Sequence, residues 1–177
     1  MANTHSFVIR TLANYTDDAL NCAGVCAAND LDNGQFVTRG ALALASGDGG
    51  YEFAVSLPSA NAVDLWLVES PIVGSTVEMQ AMDDPRYFYT PAGVPCSIKG
   101  IRANFDFIEV PASAFAASYD PDTVGDTAVY ASVNTSGRLV AVASAPANGT
   151  YFSIEATHSV DIGGEIVKTW ILKCAKN

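Results

Sequence analysis

A chain of 177 residues, 49% hydrophobic and only 16% charged, carries enough apolar side chain to bury a core, which excludes intrinsic disorder. Its formal charge of −10 comes from 19 acidic against 9 basic residues, and the basic ones are scattered singly from Arg10 to Lys176. That pattern argues against nucleic acid and anionic membrane as partners, since both attract clustered Lys and Arg.

The length fits a single domain, 1–177, with a soft sub-domain boundary near 91–95. At the N-terminus, Met1-Ala2-Asn3-Thr4-His5 offers neither the basic nor the apolar region of a secretory leader. No apolar run approaches the roughly 18 residues of a membrane helix. The chain is therefore read as made and kept in a cytosol, or as a mature form already freed of its leader. The polar segment of Ala2, Asn3, Thr4, His5 and Ser6 is expected to fray, which leaves it free to meet a partner.

In chain order, a first strand is predicted at 6–10. The stretch 15–29, with Tyr15, Asp17 and Asp18, shows no alternation and is predicted as a loop available for contact. Cys22 and Cys26 within it are spaced C-x3-C without a CxxC or His-rich companion, so the zinc reading is weak. Together with Cys96 and Cys174 they are predicted as buried reduced thiols, with a disulfide as the alternative. Asp32-Asn33-Gly34 is predicted to turn a hairpin between an early strand and one at 35–38, with Gly34 at positive φ. Ser46-Gly47-Asp48-Gly49-Gly50 has a calcium-like composition but lacks the alternating ligand ladder.

Strands follow at 51–55 and 65–68. At 87–89, Tyr87-Phe88-Tyr89 would place two tyrosines on one face, which suits a core strand, a carbohydrate platform or a protein-binding patch. In Phe105-Asp106-Phe107-Ile108-Glu109-Val110 the alternation sends acids and aromatics to opposite faces of a half-buried strand. Pro111 opens a short helical turn over 111–116, ended by Pro121 and Gly125. The last strands, at 128–133, 139–142, 151–156 and 166–172, are separated by Asn- and Gly-bearing turns and are predicted to form a C-terminal meander. The fold class is all-β: a sandwich or barrel of short antiparallel strands with little helix.

Chemistry-bearing patterns are sparse. His158 lies just past a predicted strand and reads as a surface residue. The acidic pairs Asp17-Asp18, Asp83-Asp84 and Asp120-x-Asp122 read as solvated turn residues. The sequence shows no nucleophile elbow, zinc-protease helix, phosphate loop or dinucleotide fingerprint. The expectation is a non-enzymatic protein with no catalytic residue, no cofactor and no metal, acting through other protein surfaces.

Asp30-Leu31-Asp32-Asn33-Gly34-Gln35-Phe36-Val37, after an N-terminal strand and before Gly40-Ala41-Leu42, resembles a phrase of tailed-bacteriophage capsid decoration (cement or head-stabilising) proteins. The order of later features is similar: Trp66-Leu67-Val68, then Tyr87-Phe88-Tyr89 before Ala92-Gly93, then Gly149-Thr150-Tyr151-Phe152 and Thr169-Trp170-Ile171-Leu172. The Cys22-x3-Cys26 segment is not part of that pattern. The resemblance implies a subunit made in the host cytoplasm and bound outside a capsid, its partners the major capsid protein or other virion subunits, as a homo-oligomer on a symmetric lattice. The candidate contacts are Ala2, Asn3, Thr4, His5, Ser6, Tyr15, Asp17 and Asp18. A tail, baseplate or fibre-associated module, and a secreted carbohydrate- or protein-binding sandwich, are the alternatives.

Overall fold

The computed structural model describes residues 5–11, 20–44, 51–72, 77, 84–125 and 128–177. Strands make up 49% of the described residues and helix 6%, so the all-β expectation holds.

Five strands close into a barrel: β2 (Asn21–Val25), β4 (Phe36–Leu44), β5 (Tyr51–Ser56), β6 (Leu65–Val68) and β8 (Pro95–Gly100), in the order β2-β5-β4-β6-β8. The β2–β5 pair is parallel and the other four are antiparallel. Closure leaves this layer without an exposed edge. Its interior is filled by side chains including Val37, Val55, Trp66, Val68, Cys96 and Ile98. A two-stranded ribbon, β3 (Leu31–Asp32) with β7 (Tyr89–Thr90), adjoins it.

The second layer is a six-stranded antiparallel sheet. It contains β1 (Arg10–Thr11), β9 (Phe107–Pro111), β10 (Tyr130–Val133), β11 (Leu139–Val142), β12 (Tyr151–Ile162) and β13 (Glu165–Lys176), ordered β1-β9-β13-β12-β10-β11. One face of it, with Val110, Ala131, Leu139, Phe152, Trp170 and Leu172, packs on Phe36, Leu65 and Leu67 of the barrel as one buried cluster. Phe36 and Phe152 meet across this seam at a ring-centroid distance of 5.3 Å. Each such fully buried side chain contributes roughly 1.5–3 kcal/mol. The halves therefore share a core, and 91–95 leads directly into barrel strand β8.

Several expectations need correction. The four C-terminal strands share a sheet but not in sequence order, because the connection after β11 returns the chain to the far side of β10. The stretch 15–29 is not all loop, since β2 lies inside it and closes the barrel. Gly34 does have positive φ, +88°, but its turn joins β3 to β4 without pairing them: β3 pairs with β7, and β4 with β5 and β6. Pro111 ends β9 ahead of a single 3-10 turn, Ala112–Ala114. Pro121 opens a four-residue helix, Pro121–Val124, instead of stopping one. Asp120 caps that helix, accepting from the N–H groups of Asp122 and Thr123 at 3.1 Å each. In β9 both faces are covered, with Glu109 buried as well as Ile108 and Val110; just ahead of the strand Asp106 is buried and Phe105 is 70% exposed.

Candidate functional site

The Asp-Asn-Gly-Gln phrase builds a buried polar junction. Asp32 accepts from the Ser6 N–H at 3.0 Å, lies 2.7 Å from His5 Nδ1, and pairs with Arg138 Nη2 at 2.5 Å. Asn33 and Ser70 exchange two bonds of 2.8 Å each. The Gln35 side chain accepts from the Asp32 N–H at 2.7 Å and donates to Ser136 O at 3.0 Å. The N-terminal segment, the barrel and the β10–β11 turn are thus tied at one point. Buried polar groups satisfied in this way hold a single arrangement, since any partner lost leaves a desolvated group.

Beside this junction lies a groove of about 960 Å³. Its floor includes Phe115 and Trp170, packed edge to face with centroids 5.6 Å apart. One wall is the segment after β9, with Ala116 and Ala117; the other is the distal part of β13, with Val167 and Lys168. Two ion pairs reach across the mouth: Lys168 Nζ to Asp122 at 2.5 Å, and Arg86 to Glu165 at 2.6 Å. Arg86 also binds Asp84, and its guanidinium holds the Asp84 carboxyl below the usual range. Burial works to raise Asp120, but hydrogen bonds from the Thr123 hydroxyl and the helix N–H groups outweigh it and lower that carboxyl. Tyr87, 47% exposed, lines the same groove, while Phe88 is buried and Tyr89 stacks on His5 with centroids 5.0 Å apart. The aromatic triplet thus divides between core, junction and groove.

β12 and β13, twelve residues each, form a hairpin whose distal half extends past its neighbours: β10 pairs with β12 only from Tyr151 to Ser153, and β9 stops opposite Thr169. Most of 155–168 is exposed, and Ile166 reaches 78%.

Of the candidate contacts, Ala2, Asn3, Thr4, Tyr15, Asp17 and Asp18 lie outside the described residues, as does Ser46-Gly47-Asp48-Gly49-Gly50. His5 and Ser6 are described, and they are not a fraying tail. Ser6 is wholly buried and its hydroxyl donates to Asn33 O at 2.9 Å. His158 is half exposed but bound: its Nδ1 lies 2.9 Å from Glu109 Oε1, which also accepts from the Thr169 hydroxyl at 2.7 Å. All four cysteines are free thiols; Cys26, Cys96 and Cys174 are buried and Cys22 is half buried. The groove residues Arg138, Lys168 and Trp170 carry no local signal of their role. A weak hint was the alternation Ile166-Val167-Lys168-Thr169-Trp170, which continues past the apolar core.

Comparison of the chain with protein-family models, curated proteins and solved structures gives no match.

Proposed function

We propose that this chain is a structural subunit that binds a protein surface, and that the surface is the outside of a tailed-phage capsid, which it decorates and stabilises. The observation that carries the binding role is the distal β12–β13 hairpin, which projects beyond its sheet with Ile166 exposed beside an open groove. Ile166 has no role in the core, and with the partly exposed apolar groove residues Val167, Ala116 and Ala117 nearby it offers apolar side chains where a protein partner can dock. The rigid two-layer body with one shared core suits a subunit that transmits load. The capsid as partner comes from the sequence resemblance in the Asp30–Val37 phrase and the order of features after it. A subunit of this size can offer roughly 800 Å² to a neighbour, enough for stable attachment when many copies engage a symmetric lattice.

The test is cosedimentation of the purified protein with empty shells assembled from the major capsid protein encoded beside its gene. Saturable binding at a fixed number of copies per shell, with shells that resist heat better, is the expected result. Shells that never retain the protein at any concentration overturn the decoration role.

A further inference from the structure

We infer that the groove beside β13 takes an extended, basic peptide segment of another protein by strand addition. This rests on the reading above that the chain binds protein surfaces, and it names the surface and the chemistry of what enters it.

β9 accompanies β13 only as far as the Pro111–Thr169 pair. After Pro111 the chain turns away from β13 through Ala112–Ala114. β13 continues to Glu165 with no neighbour on that side among the described residues. Backbone groups along a strand alternate between its two sides. The Cys174 N–H donates to Asp106 O at 2.9 Å, which puts the even-numbered residues of β13 on the β9 side. Ile166 and Lys168 therefore present their N–H and C=O groups to the open edge, and the groove lies along it. Two donors and two acceptors in line over about 10 Å of strand are what an incoming strand recognises.

The groove supplies the rest. The buried Phe115–Trp170 pair closes the bottom of the groove, and Ala116, Ala117 and Val167 line it with apolar side chains that alternate side chains of the incoming strand can meet. Ser113 lines the groove, and its buried hydroxyl has no partner among the described residues. The groove is lined by three carboxylates, Asp120, Asp122 and Glu165, and three cations, Arg86, Arg138 and Lys168; Arg86 and Arg138 are also held by Asp84 and Asp32 outside the lining, so the whole set carries more acid than base. Each of those cations is already held by a carboxylate. The acidic surplus, within a chain of net charge −10, selects lysine- or arginine-bearing segments and disfavours a second copy of this chain.

The full-length protein is titrated with a capped octapeptide of alternating lysine and valine, followed by calorimetry and by the amide resonances of Ile166 and Lys168. Saturable binding that moves those two amides is expected. Ile166→Pro removes an edge N–H while sparing the β12 ladder, and should weaken binding at least tenfold with an unchanged circular-dichroism spectrum. Ala117→Trp fills the opposite wall without touching β13 and should do the same. An octapeptide of glutamate and valine should bind at least tenfold more weakly than the lysine one. Unchanged affinity in both variants, or equal binding of the two peptides, overturns the inference. Self-association abolished by Ile166→Pro would make a second copy the occupant and would also overturn it. Shell cosedimentation separates this inference from the proposed function. Peptide binding without shell binding overturns the decoration role alone. Shells that retain both variants at full occupancy overturn the groove as the attachment surface and leave the decoration role standing.

Discussion

Asp32 and Arg138 stand 106 residues apart in the chain and meet at 2.5 Å, the carboxylate buried and the guanidinium also donating to Ser113 O at 2.6 Å. The pair joins the β3 ribbon to the β10–β11 turn, so it forms only when both layers are assembled.

Asp32→Ala is expected to cost about 3–5 kcal/mol, because it removes the buried carboxylate that Arg138, the Ser6 N–H and His5 share. The double variant Asp32→Ala/Arg138→Ala should lose less than the sum of the single changes, since no unpaired charge remains. Urea denaturation of the three variants gives the coupling; strict additivity would show that the two groups act independently.

The turn glycines rank by what a Cβ would meet. At Gly34, φ +88°, a Cβ would sit 3.2 Å from Phe7 and Val8 atoms, and Gly34→Val should cost more than about 1 kcal/mol. At Gly137, φ +72°, it would lie only 2.3 Å from Phe36 O, a backbone atom of the core strand β4. Even Gly137→Ala should therefore be the more damaging change. Thermal melts of the two variants test the order, and an undisturbed melting temperature in Gly137→Ala would contradict it.

Burial pushes the Cys174 thiol up to about 12, helped by the nearby Asp106 carboxylate, and burial with Cys26 nearby pushes Cys96 up to about 11. Both start from 9.0, so the fold favours the neutral thiols. Their contribution to stability is complete below pH 9 and is lost as pH rises through the folded values, at up to about 1.4 kcal/mol per pH unit for each. Stability should fall between pH 9 and 11, and more gently in Cys174→Ala. An identical slope in that variant would rule out Cys174 as a source. At pH 8 the native protein should be alkylated at half-buried Cys22 well before Cys96 or Cys174.

Glu109 and His158 share one hydrogen bond but differ in exposure, the carboxylate side chain fully buried and the imidazole 50% exposed. Glu109→Ala should cost about 3 kcal/mol, as it also strands the Thr169 hydroxyl in the sheet. His158→Ala should cost under about 1 kcal/mol. Equal losses in the two variants, read by urea denaturation, would contradict that asymmetry.

The sequence by itself determined the class of fold and the places where the chain turns. β6 at Leu65–Val68 and β11 at Leu139–Val142 were legible to the residue, because short apolar runs between turn residues have few other stable uses. The positive φ of Gly34 was legible for an equally local reason: glycine adopts that backbone with little strain. β2 was not legible, since Asn21-Cys22-Ala23-Gly24-Val25 has small side chains and little alternation, and it is strand only because β5 and β8 flank it. β8 was masked by its opening Pro95. The alternation of β9 was visible, yet it misjudged Glu109, because a two-period shows that faces differ and not what covers each. Tertiary structure alone decided the closing of the barrel, the order of the C-terminal strands, the Asp32–Arg138 pair and the edge at Ile166 and Lys168, which is open among the described residues. All of these join segments distant in the chain. Their free energy is realised only after the cost of closing long loops has been met, and no local window of sequence carries that term.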